Sequence, residues 1–361
     1  MAAFSCLLLV KSLDRHNNSA WQLGPQRQMQ ETSKVFSVYN PLDYESVQGP
    51  RADYIAPDVA KVSMLYGDND YYLRAIETHI KHAKRHRYPT YILRKELING
   101  VWNKLLCLMH AMVSELSKGE HAAKWIMWFD ADSAVVNPAV PLTVFLPPEE
   151  HSDIHFLGSK DQSGFNAGMF FIKVHKWSLE LLANAMTYEH HRPDIDLSFL
   201  EQTSLYLELN RTENRKHVLY QPRPWFNTYE FHHAYEGEKG DVFVHFPGLE
   251  EDRWKHMADW LSILEGPQQK DWEVELHQTK YPARVAEFWE VFGTARKQLE
   301  MANERIRGQE PTRQPLREAM DAAERILWSE TDQIVAMKEA TQRLTKEMSA
   351  AGLMVAVEAV T

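Results

Sequence analysis

Two aspartates separated by one residue follow directly on a short apolar run. The run is Trp125 to Phe129, and the carboxylates are those of Asp130 and Asp132. A short, uninterrupted apolar run is typical of a strand that is buried on both faces of a sheet. Ligands of parallel sheets bind beyond the carboxyl ends of the strands, where both aspartates fall. Carboxylates at this spacing suit Mg²⁺ or Mn²⁺, and such an ion would neutralise a diphosphate.

The same pattern has a simpler interpretation. In it the strand ends in an Asx turn, and both aspartates are solvated. The spacing of two aspartates does not by itself separate the two interpretations, so the surrounding elements have to decide between them.

The composition limits the classes of protein that need to be considered. The chain has 361 residues and a net charge of -10, which argues against a nucleic-acid partner. Its two cysteines, Cys6 and Cys107, lie far apart, so neither a disulfide scaffold nor a cysteine-based zinc site is indicated. The apolar run from Cys6 to Val10 is too short to span a bilayer and lacks the basic leading segment of a signal peptide.

Three regions are predicted along the chain. Residues 11–57 are polar and interrupted by prolines, which favours an irregular N-terminal stem or lead-in over residues 1–57. Residues 58–266 alternate between short apolar runs and amphipathic helical patterns, which is typical of an α/β fold with a Rossmann-like sheet. Residues 267–361 contain few turn signals and favour a helical C-terminal extension that packs on the domain or on a partner, as in a homo- or hetero-oligomer.

Two later motifs also contain polar residues beside predicted strands. Asn166 stands between Gly164 and Gly168 at the start of one strand, and His245 ends another. Glycines in such positions suggest that the backbone approaches something closely. The predicted strands span 61–66, 91–93, 125–129, 154–158, 165–173, 218–220 and 240–248, and the predicted helices of this region span 71–86, 102–116, 177–188, 199–209 and 253–264.

In order and spacing these motifs resemble the fungal galactosyl/mannosyltransferase family, glycosyltransferase family 34, whose plant members are xyloglucan xylosyltransferases. The resemblance covers roughly residues 60–262. The matching segments are WIMWFDADSAVVNPAVP (125–141), GFNAGMFFIKVHKW (164–177), EQTSL (201–205) and GDVFVHFPG (240–248).

The resemblance implies a GT-A type nucleotide-diphospho-sugar transferase fold and transfer that retains the anomeric configuration. It implies a nucleotide-sugar donor, UDP-galactose or GDP-mannose, a glycan or glycoprotein acceptor, and Mn²⁺ as the cofactor, with Mg²⁺ as the alternative. It also implies a location in the Golgi lumen or membrane, although no membrane anchor is recognisable in this sequence.

The resemblance also implies roles for individual residues. Asp132 and His245 match metal ligands, and Asp130 either completes the ligand set or holds hydroxyls of the donor. Gln202 matches a glutamine near the anomeric carbon. Glu201 stands where relatives often have aspartate, and it would orient the donor sugar or stabilise an oxocarbenium-like transition state.

Further residues are candidates for binding the donor. Asn166 and Gly168 match an Asn-x-Gly loop beside the sugars, and Asp161, just before this loop, is a candidate for holding a sugar hydroxyl. Tyr66 and Gly67 end the first predicted strand, where GT-A enzymes place the base and the ribose. Tyr66 either stacks on the base or belongs to the core.

Two cations are considered for the nucleotide. Lys104 fits a Trp-x-Lys pattern of the family and either faces the nucleotide or is solvated. Plant relatives carry a lysine shortly after the His-Phe-x-Gly turn, whereas residues 249–253 here read LEEDR. Either Arg253 takes over the contact with the diphosphate, or neutralisation depends more on the metal. This departure favours a fungal-type hexosyltransferase that transfers galactose or mannose.

Two other functions remain open at this point. One is a non-catalytic subunit of a glycan-synthesising complex, in which the C-terminal helices mediate assembly. The other is a DxD phosphatase of the haloacid dehalogenase type, which also places this motif after an apolar strand. Its motif usually opens the domain, whereas here an α/β pattern precedes Asp130.

Overall fold

The computed structural model describes residues 35–39, 57–306, 314–329 and 333–353. Most of the predicted N-terminal stem, including Cys6, lies outside the described residues. The strands are β1 Phe36–Tyr39, β2 Val59–Met64, β3 Thr90–Leu93, β4 Trp125–Phe129, β5 Ser133–Val135, β6 Phe156–Asp161, β7 Gly164–Lys173, β8 Val218–Tyr220 and β9 Phe243–His245.

In the described residues, helices are interspersed among the strands up to β9, and only helices follow β9. They are α1 Asp70–His86, α2 Asn103–Leu116, α3 Lys176–Met186, α4 Tyr188–His191, α5 Leu200–Leu209, α6 Thr212–Arg215, α7 Arg253–Glu265, α8 Tyr281–Ile306, α9 Gln314–Ser329 and α10 Gln333–Ala350. The predicted α/β architecture with a C-terminal helical extension is confirmed for the described residues.

Strand β4 is buried on both faces, as its sequence predicts. Its side chains alternate between two apolar clusters: Trp125, Met127 and Phe129 face one cluster, and Ile126 and Trp128 face the other. Because side chains of a strand alternate between the two faces, an uninterrupted apolar run is the usual pattern of a strand that is buried in this way. Charged side chains therefore begin only after Phe129, with Asp130 and Asp132.

The main sheet has seven strands in the order β1-β3-β2-β4-β7-β6-β8. Strand β2 is parallel to both β3 and β4, whereas β4 and β7 are antiparallel. Since β6 is antiparallel to β7 and parallel to β8, strands β2, β4, β6 and β8 all end at the same edge. Strand β1 adds an antiparallel outer strand in a region that was predicted to be irregular.

Helices α1 and α2 cover opposite faces of this sheet. Ile76 and Ala83 of α1 belong to the same apolar cluster as Met127, whereas Leu105 and Leu108 of α2 belong to the cluster of Trp128. The chain places β3 on one side of β2 and then β4 on the other side, so the direction in which strands are added reverses at β2. Such a reversal opens a crevice at the carboxyl ends of the strands, where ligands bind.

The strand predicted at residues 240–248 is shorter and lies elsewhere. Only Phe243–His245 is extended, and it pairs with β5 in a separate two-stranded sheet. In this pairing His245 lies opposite Ser133. The short sheet therefore brings His245 beside the aspartates that follow β4.

Helices α8, α9 and α10 share their core with the main sheet. Tyr281 and Phe288 of α8 pack on Phe145 and Trp225, with ring centroids 5.0 and 5.4 Å apart. The Tyr281 hydroxyl is buried and lies 3.1 Å from Asp241 Oδ1, to which it donates a hydrogen bond. Among the described residues, no helix is long and apolar enough to cross a membrane.

Lys61 of β2 is fully buried beneath helix α1. Its ammonium nitrogen lies 3.3 Å from His82 Nδ1, and His82 Nε2 donates to the carbonyl of Val140 at 3.0 Å. Among the ion pairs of the described residues, none joins a carboxylate to Lys61. Burial therefore holds the pKa of Lys61 well below its ordinary value.

This burial predicts a pH-dependent contribution to stability. An unfolded chain keeps the proton of Lys61 up to the ordinary lysine pKa, whereas the folded chain loses it at lower pH. Unfolding therefore takes up a proton between these two values, so the free energy of unfolding rises with pH in that window, by about 1.4 kcal/mol per pH unit for one group.

We expect Lys61→Met to remove this rise. Urea unfolding between pH 8 and 10 would show the wild type gaining stability relative to the variant as the pH increases. The exposed Lys270→Met serves as the control, and its curve should parallel the wild type. Parallel curves for Lys61→Met and the wild type would contradict the prediction.

Candidate active site

Asp130, Asp132 and His245 converge at the carboxyl end of β4. Each offers one ligand atom, and these atoms lie within 4.8 Å of one another. His245 Nε2 is 3.4 Å from Asp132 Oδ1. Two carboxylates and an imidazole form a donor set that suits Mn²⁺ better than Ca²⁺. The residues therefore fit a divalent transition metal.

Asn227 determines which nitrogen of His245 can accept a metal. The Nδ1 atom of His245 lies 2.7 Å from the side-chain oxygen of Asn227, which can only accept, so Nδ1 carries the proton. Nε2 then faces Asp132 and is the ring nitrogen available to a metal. Asn227 in turn donates through its amide to Asn166 at 3.0 Å and to Ser159 at 3.1 Å. This is the usual arrangement in which an outer partner orients a ligating histidine.

Gly168 makes room for the His245 ring. A Cβ atom at this position would lie 2.3 Å from Cε1 of His245, far inside van der Waals contact. The carbonyl of Gly168 accepts from the backbone of Asp130 at 2.8 Å, and Asn166 Oδ1 accepts from the Gly168 N–H at 2.9 Å. The Asn-x-Gly segment thus binds the backbone of Asp130 and packs against the ring of His245.

Lys104 lies between two carboxylates below the metal ligands. Its ammonium nitrogen is 3.2 Å from Asp130 Oδ1 and 3.1 Å from Glu201 Oε1, and it donates to the carbonyl of Ala167 at 3.1 Å. Burial lowers the pKa of Lys104, but the two carboxylates raise it by more, so the net shift is upward. The lysine is therefore a buried cation and not a solvated helix residue.

Arg253 is the second cation of the site. Its guanidinium is 3.5 Å from Asp132 Oδ2 and donates to the Tyr72 hydroxyl at 2.9 Å. Its Nε atom is buried and has no hydrogen-bond partner among the described residues. Burial raises the pKa of Asp132, but His245 and Arg253 lower it by more, so this carboxyl stays ionised.

A cavity of about 530 Å³ opens beside these groups. It lies at the carboxyl ends of β2 and β4, where Tyr66 lines it, and it is bounded on the other side by the start of α5. The predicted site residues that line it are Tyr66, Lys104, Asp130, Asp132, Glu201, Gln202 and Arg253. The Gln202 oxygen accepts from the Ala167 N–H at 2.8 Å, which fixes the direction of its amide.

Five predicted residues lie outside the lining of this cavity, namely Gly67, Asp161, Asn166, Gly168 and His245. Gly67 turns the chain after β2 with a φ of 91°, a conformation that favours glycine. Asn166 accepts from Asn227 and from the Gly168 N–H, as described above. Asp161 lines a different cavity and accepts from the Tyr229 hydroxyl at 2.8 Å.

Several residues of the site have no signal in the sequence. His79 stacks on Phe129 with centroids 3.8 Å apart and donates through Nε2 to the Ser133 carbonyl at 3.2 Å, which holds the turn after Asp132. Phe199 and Leu200 line the cavity although they are 59% and 46% exposed. Leu200 has a φ of 46°, so a strained residue immediately precedes Glu201. Asn227 was also not predicted.

Fold and site together define an α/β protein with a candidate metal site beside a ligand cavity. Comparison with known proteins narrows this class. Residues 146–254 match the model of the galactosyl transferase GMA12/MNN10 family. The matched region contains His245, Gln202 and Arg253 but begins after Asp132.

One curated relative and one solved structure are also similar. The relative is an alpha-1,2-galactosyltransferase of Schizosaccharomyces pombe, 24% identical over 267 residues that cover 60% of this chain and 69% of the relative. The structure is that of a glycosyltransferase involved in the glycosylation of the major capsid of PBCV-1. It is 20% identical, has a TM-score of 0.45, and is matched over 56% of this chain and 100% of its own.

The family match and the relative confirm the predicted relationship to the fungal galactosyltransferases of glycosyltransferase family 34. The chain is a glycosyltransferase, more narrowly a hexosyltransferase, which uses a nucleotide-sugar donor and a glycan acceptor. The predicted alternatives of a non-catalytic subunit and a DxD phosphatase are accordingly not favoured.

Substituting Gly168 tests how closely His245 is packed. We expect Gly168→Ala to push the imidazole away from Asp132 and to weaken Mn²⁺ binding on the order of tenfold or more. Calorimetric titration with Mn²⁺ measures this directly. The melting temperature without metal would show whether the fold is intact, and unchanged affinity in a folded variant would contradict the prediction.

Substituting Asn227 tests the control of the histidine tautomer. Asn227→Ala leaves Nδ1 of His245 without an acceptor, and we expect Mn²⁺ affinity to fall roughly 10- to 100-fold. Asn227→Asp keeps an acceptor for Nδ1 and should retain more of the affinity than the alanine variant. Equal losses in the two variants would show that the hydrogen bond to His245 is not what matters.

Proposed function

We propose that this protein transfers a hexose from a nucleotide sugar to a hydroxyl of a glycan or glycoprotein, with retention and therefore formation of an α-glycosidic bond. UDP-galactose is the donor that the relative's activity favours, and GDP-mannose is the second choice. The proposed cofactor is Mn²⁺ held by Asp130, Asp132 and His245, with Mg²⁺ as the alternative. The proposed location, by family resemblance, is the Golgi.

The observation that carries the proposal is that the three candidate ligands converge on one another and that two of them, Asp130 and Asp132, line the 530 Å³ cavity. When bound there, a divalent metal would act as a Lewis acid on the diphosphate and stabilise the leaving nucleotide. The protein's contribution is to hold the ligands in place through Asn227, Gly168 and the pairing of β9 with β5.

Arg253 is the proposed protein contact of the diphosphate. It lies beside Asp132 at the cavity, and its buried Nε has no partner in the described part of the chain, as a donor that awaits an anion would. The acidic residues that precede it, Glu250 to Asp252, are exposed and do not line the cavity. The acidic run therefore leaves the proposed diphosphate position clear, although no lysine stands there.

The sugar is expected between the metal ligands and the start of α5. Gln202 presents its amide to the cavity, and Glu201 is buried and paired with Lys104. A carboxylate held in this way can stabilise positive charge that develops on the sugar ring. Retention is proposed to occur by attack from the same face as the leaving group, because no side chain is assigned as a nucleophile.

The nucleotide base is expected near Tyr66 at the end of β2. The Tyr66 ring lines the cavity, and its hydroxyl donates to the carbonyl of Gly100 at 3.3 Å. A tyrosine held at one end by its hydroxyl keeps its ring face available for stacking. Tyr66 also packs on the apolar cluster of Trp128, so the proposed stacking uses the part of the side chain that lines the cavity.

Replacing one metal ligand tests the enzyme and its metal together. We expect wild-type protein with Mn²⁺ to hydrolyse its nucleotide sugar slowly without acceptor, and Asp132→Asn to lose this activity by on the order of 100-fold or more, because a carboxamide is a weaker and uncharged ligand. Released nucleotide, followed with and without a chelator, measures the effect.

The matched control is Asp259→Asn, which changes an exposed aspartate that pairs with Lys255 on the surface. It should behave as the wild type. Calorimetry with UDP-galactose, UDP-glucose, UDP-xylose and GDP-mannose in the presence of Mn²⁺ identifies the donor. If the protein binds none of the four nucleotide sugars, the proposed function is refuted. Turnover of a phosphomonoester would instead favour the phosphatase interpretation.

A further inference from the structure

A second cavity lies at the same edge of the sheet, on the side of β6 and β8. Its volume is about 710 Å³, and it shares no lining residue with the cavity beside the metal ligands. Asp161 at the end of β6 and Arg223 after β8 form two of its walls, and Lys280 and Arg284 form a third. The two cavities thus occupy opposite halves of the strand ends.

A chain of hydrogen bonds joins this second cavity to the metal ligands. Asp161 Oδ2 accepts from Asn166 Nδ2 at 3.3 Å, and Asn166 Oδ1 accepts from Asn227 at 3.0 Å. Asn227 then accepts from His245 at 2.7 Å. Side chains that position the candidate metal site are therefore hydrogen-bonded, through Asp161, to a wall of the second cavity.

We propose that the second cavity binds the acceptor, and that the acceptor is a neutral oligosaccharide. This inference rests on the proposed function, since a sugar-transfer site needs a place for the hydroxyl that attacks. A glycan bound there would approach the donor sugar from the β6 side of the candidate metal ligands.

The lining is suited to sugars. Aromatic side chains at Trp225, Tyr229 and Phe231 provide apolar surfaces, and Asp161 and Gln162 provide acceptors and donors for hydroxyls. The guanidinium of Arg223 covers Tyr229 at 3.9 Å from the ring centroid. Arg223 also lies 5.9 Å from the centroid of Phe231, but Trp225 and Tyr229 are buried whereas Phe231 is partly exposed. Phe231 is therefore the aromatic side chain most open to the apolar side of a hexose ring.

The charges decide between a neutral and an anionic glycan. Arg223 forms a bidentate ion pair with Glu236, Lys280 lies 2.8 Å from Asp241, and Arg284 lies 3.3 Å from Glu287. Lys160 lies over the Tyr220 ring at 4.3 Å, and the carboxylate of Asp161 lines the same cavity. Since acidic partners compensate the cations, the cavity offers hydrogen bonds and not a net positive potential.

The C-terminal extension contributes residues to the proposed acceptor site. Arg284 belongs to α8, and Lys280 directly precedes it, so the extension forms one wall of the proposed acceptor site. The buried Tyr281 hydroxyl, bonded to Asp241, holds this wall against the sheet. Acceptor choice would then depend on helix α8 as well as on the strand ends.

Two variants test the proposal, Phe231→Ala and Arg284→Ala. Arg343→Ala is the matched control, because its exposed arginine pairs with Glu318 on the other C-terminal helices and lines neither cavity. Mannotriose, maltotriose and cellotriose serve as probes in the transfer reaction. We expect the KM for the best trisaccharide to rise roughly tenfold in each test variant and to stay unchanged in the control.

Acceptor-independent hydrolysis of the nucleotide sugar and the affinity for UDP with Mn²⁺ should remain at wild-type values in both test variants. An unchanged acceptor KM in both variants, or binding of none of the three trisaccharides at millimolar concentration, overturns the acceptor assignment. Mannose 6-phosphate that competes better than the neutral sugars overturns the choice of a neutral glycan. If the wild type neither binds nor hydrolyses any nucleotide sugar, the proposed function itself fails.

Discussion

The carboxylates of Asp130, Asp132 and Glu201 meet at the end of the apolar strand β4. Their negative charge is compensated by cations from helices α2 and α7. Asp130 and Glu201 share the buried ammonium of Lys104, and Asp132 lies beside Arg253. Three negative and two positive charges leave one negative charge uncompensated. Buried charges are costly without partners. A divalent cation, as proposed here, would reverse the sign of the balance and so favour an anionic diphosphate in the adjoining cavity.

The position of His245 results from constraints that come from different parts of the chain. Pairing of β9 with β5 places it opposite Ser133, Asn227 holds its ring nitrogen, and the missing side chain of Gly168 leaves space for its ring. Each constraint acts on a different degree of freedom: backbone position, tautomer and ring packing. A ligand held in all three respects loses little entropy when it binds a metal, which is the physical meaning of preorganisation.

The two proposed substrates bind at different parts of the same edge of the sheet. One cavity lies at the ends of β2 and β4 and the other beside β6 and β8, with the candidate metal ligands between them. The C-terminal helices take part in this division because their apolar residues belong to the same core as Phe145 and Trp225. A change in α8 would therefore be transmitted to the second cavity through packed side chains and not through a flexible linker.

The sequence by itself determined the elements whose pattern is local. An uninterrupted apolar run is typical of a strand buried on both faces, so β4 and the aspartates after it were recognisable. The helices with a clear apolar period and the family motifs at Asn166, Gln202 and His245 were recognisable as well. The sequence could not determine pairings between distant residues. Asn227 and His245 are 18 residues apart, and His79 and Ser133 are 54 apart. Both histidine contacts, the burial of Lys104 and the seating of β9 on β5 exist only because the tertiary structure brings polar groups into an interior where each must find a partner.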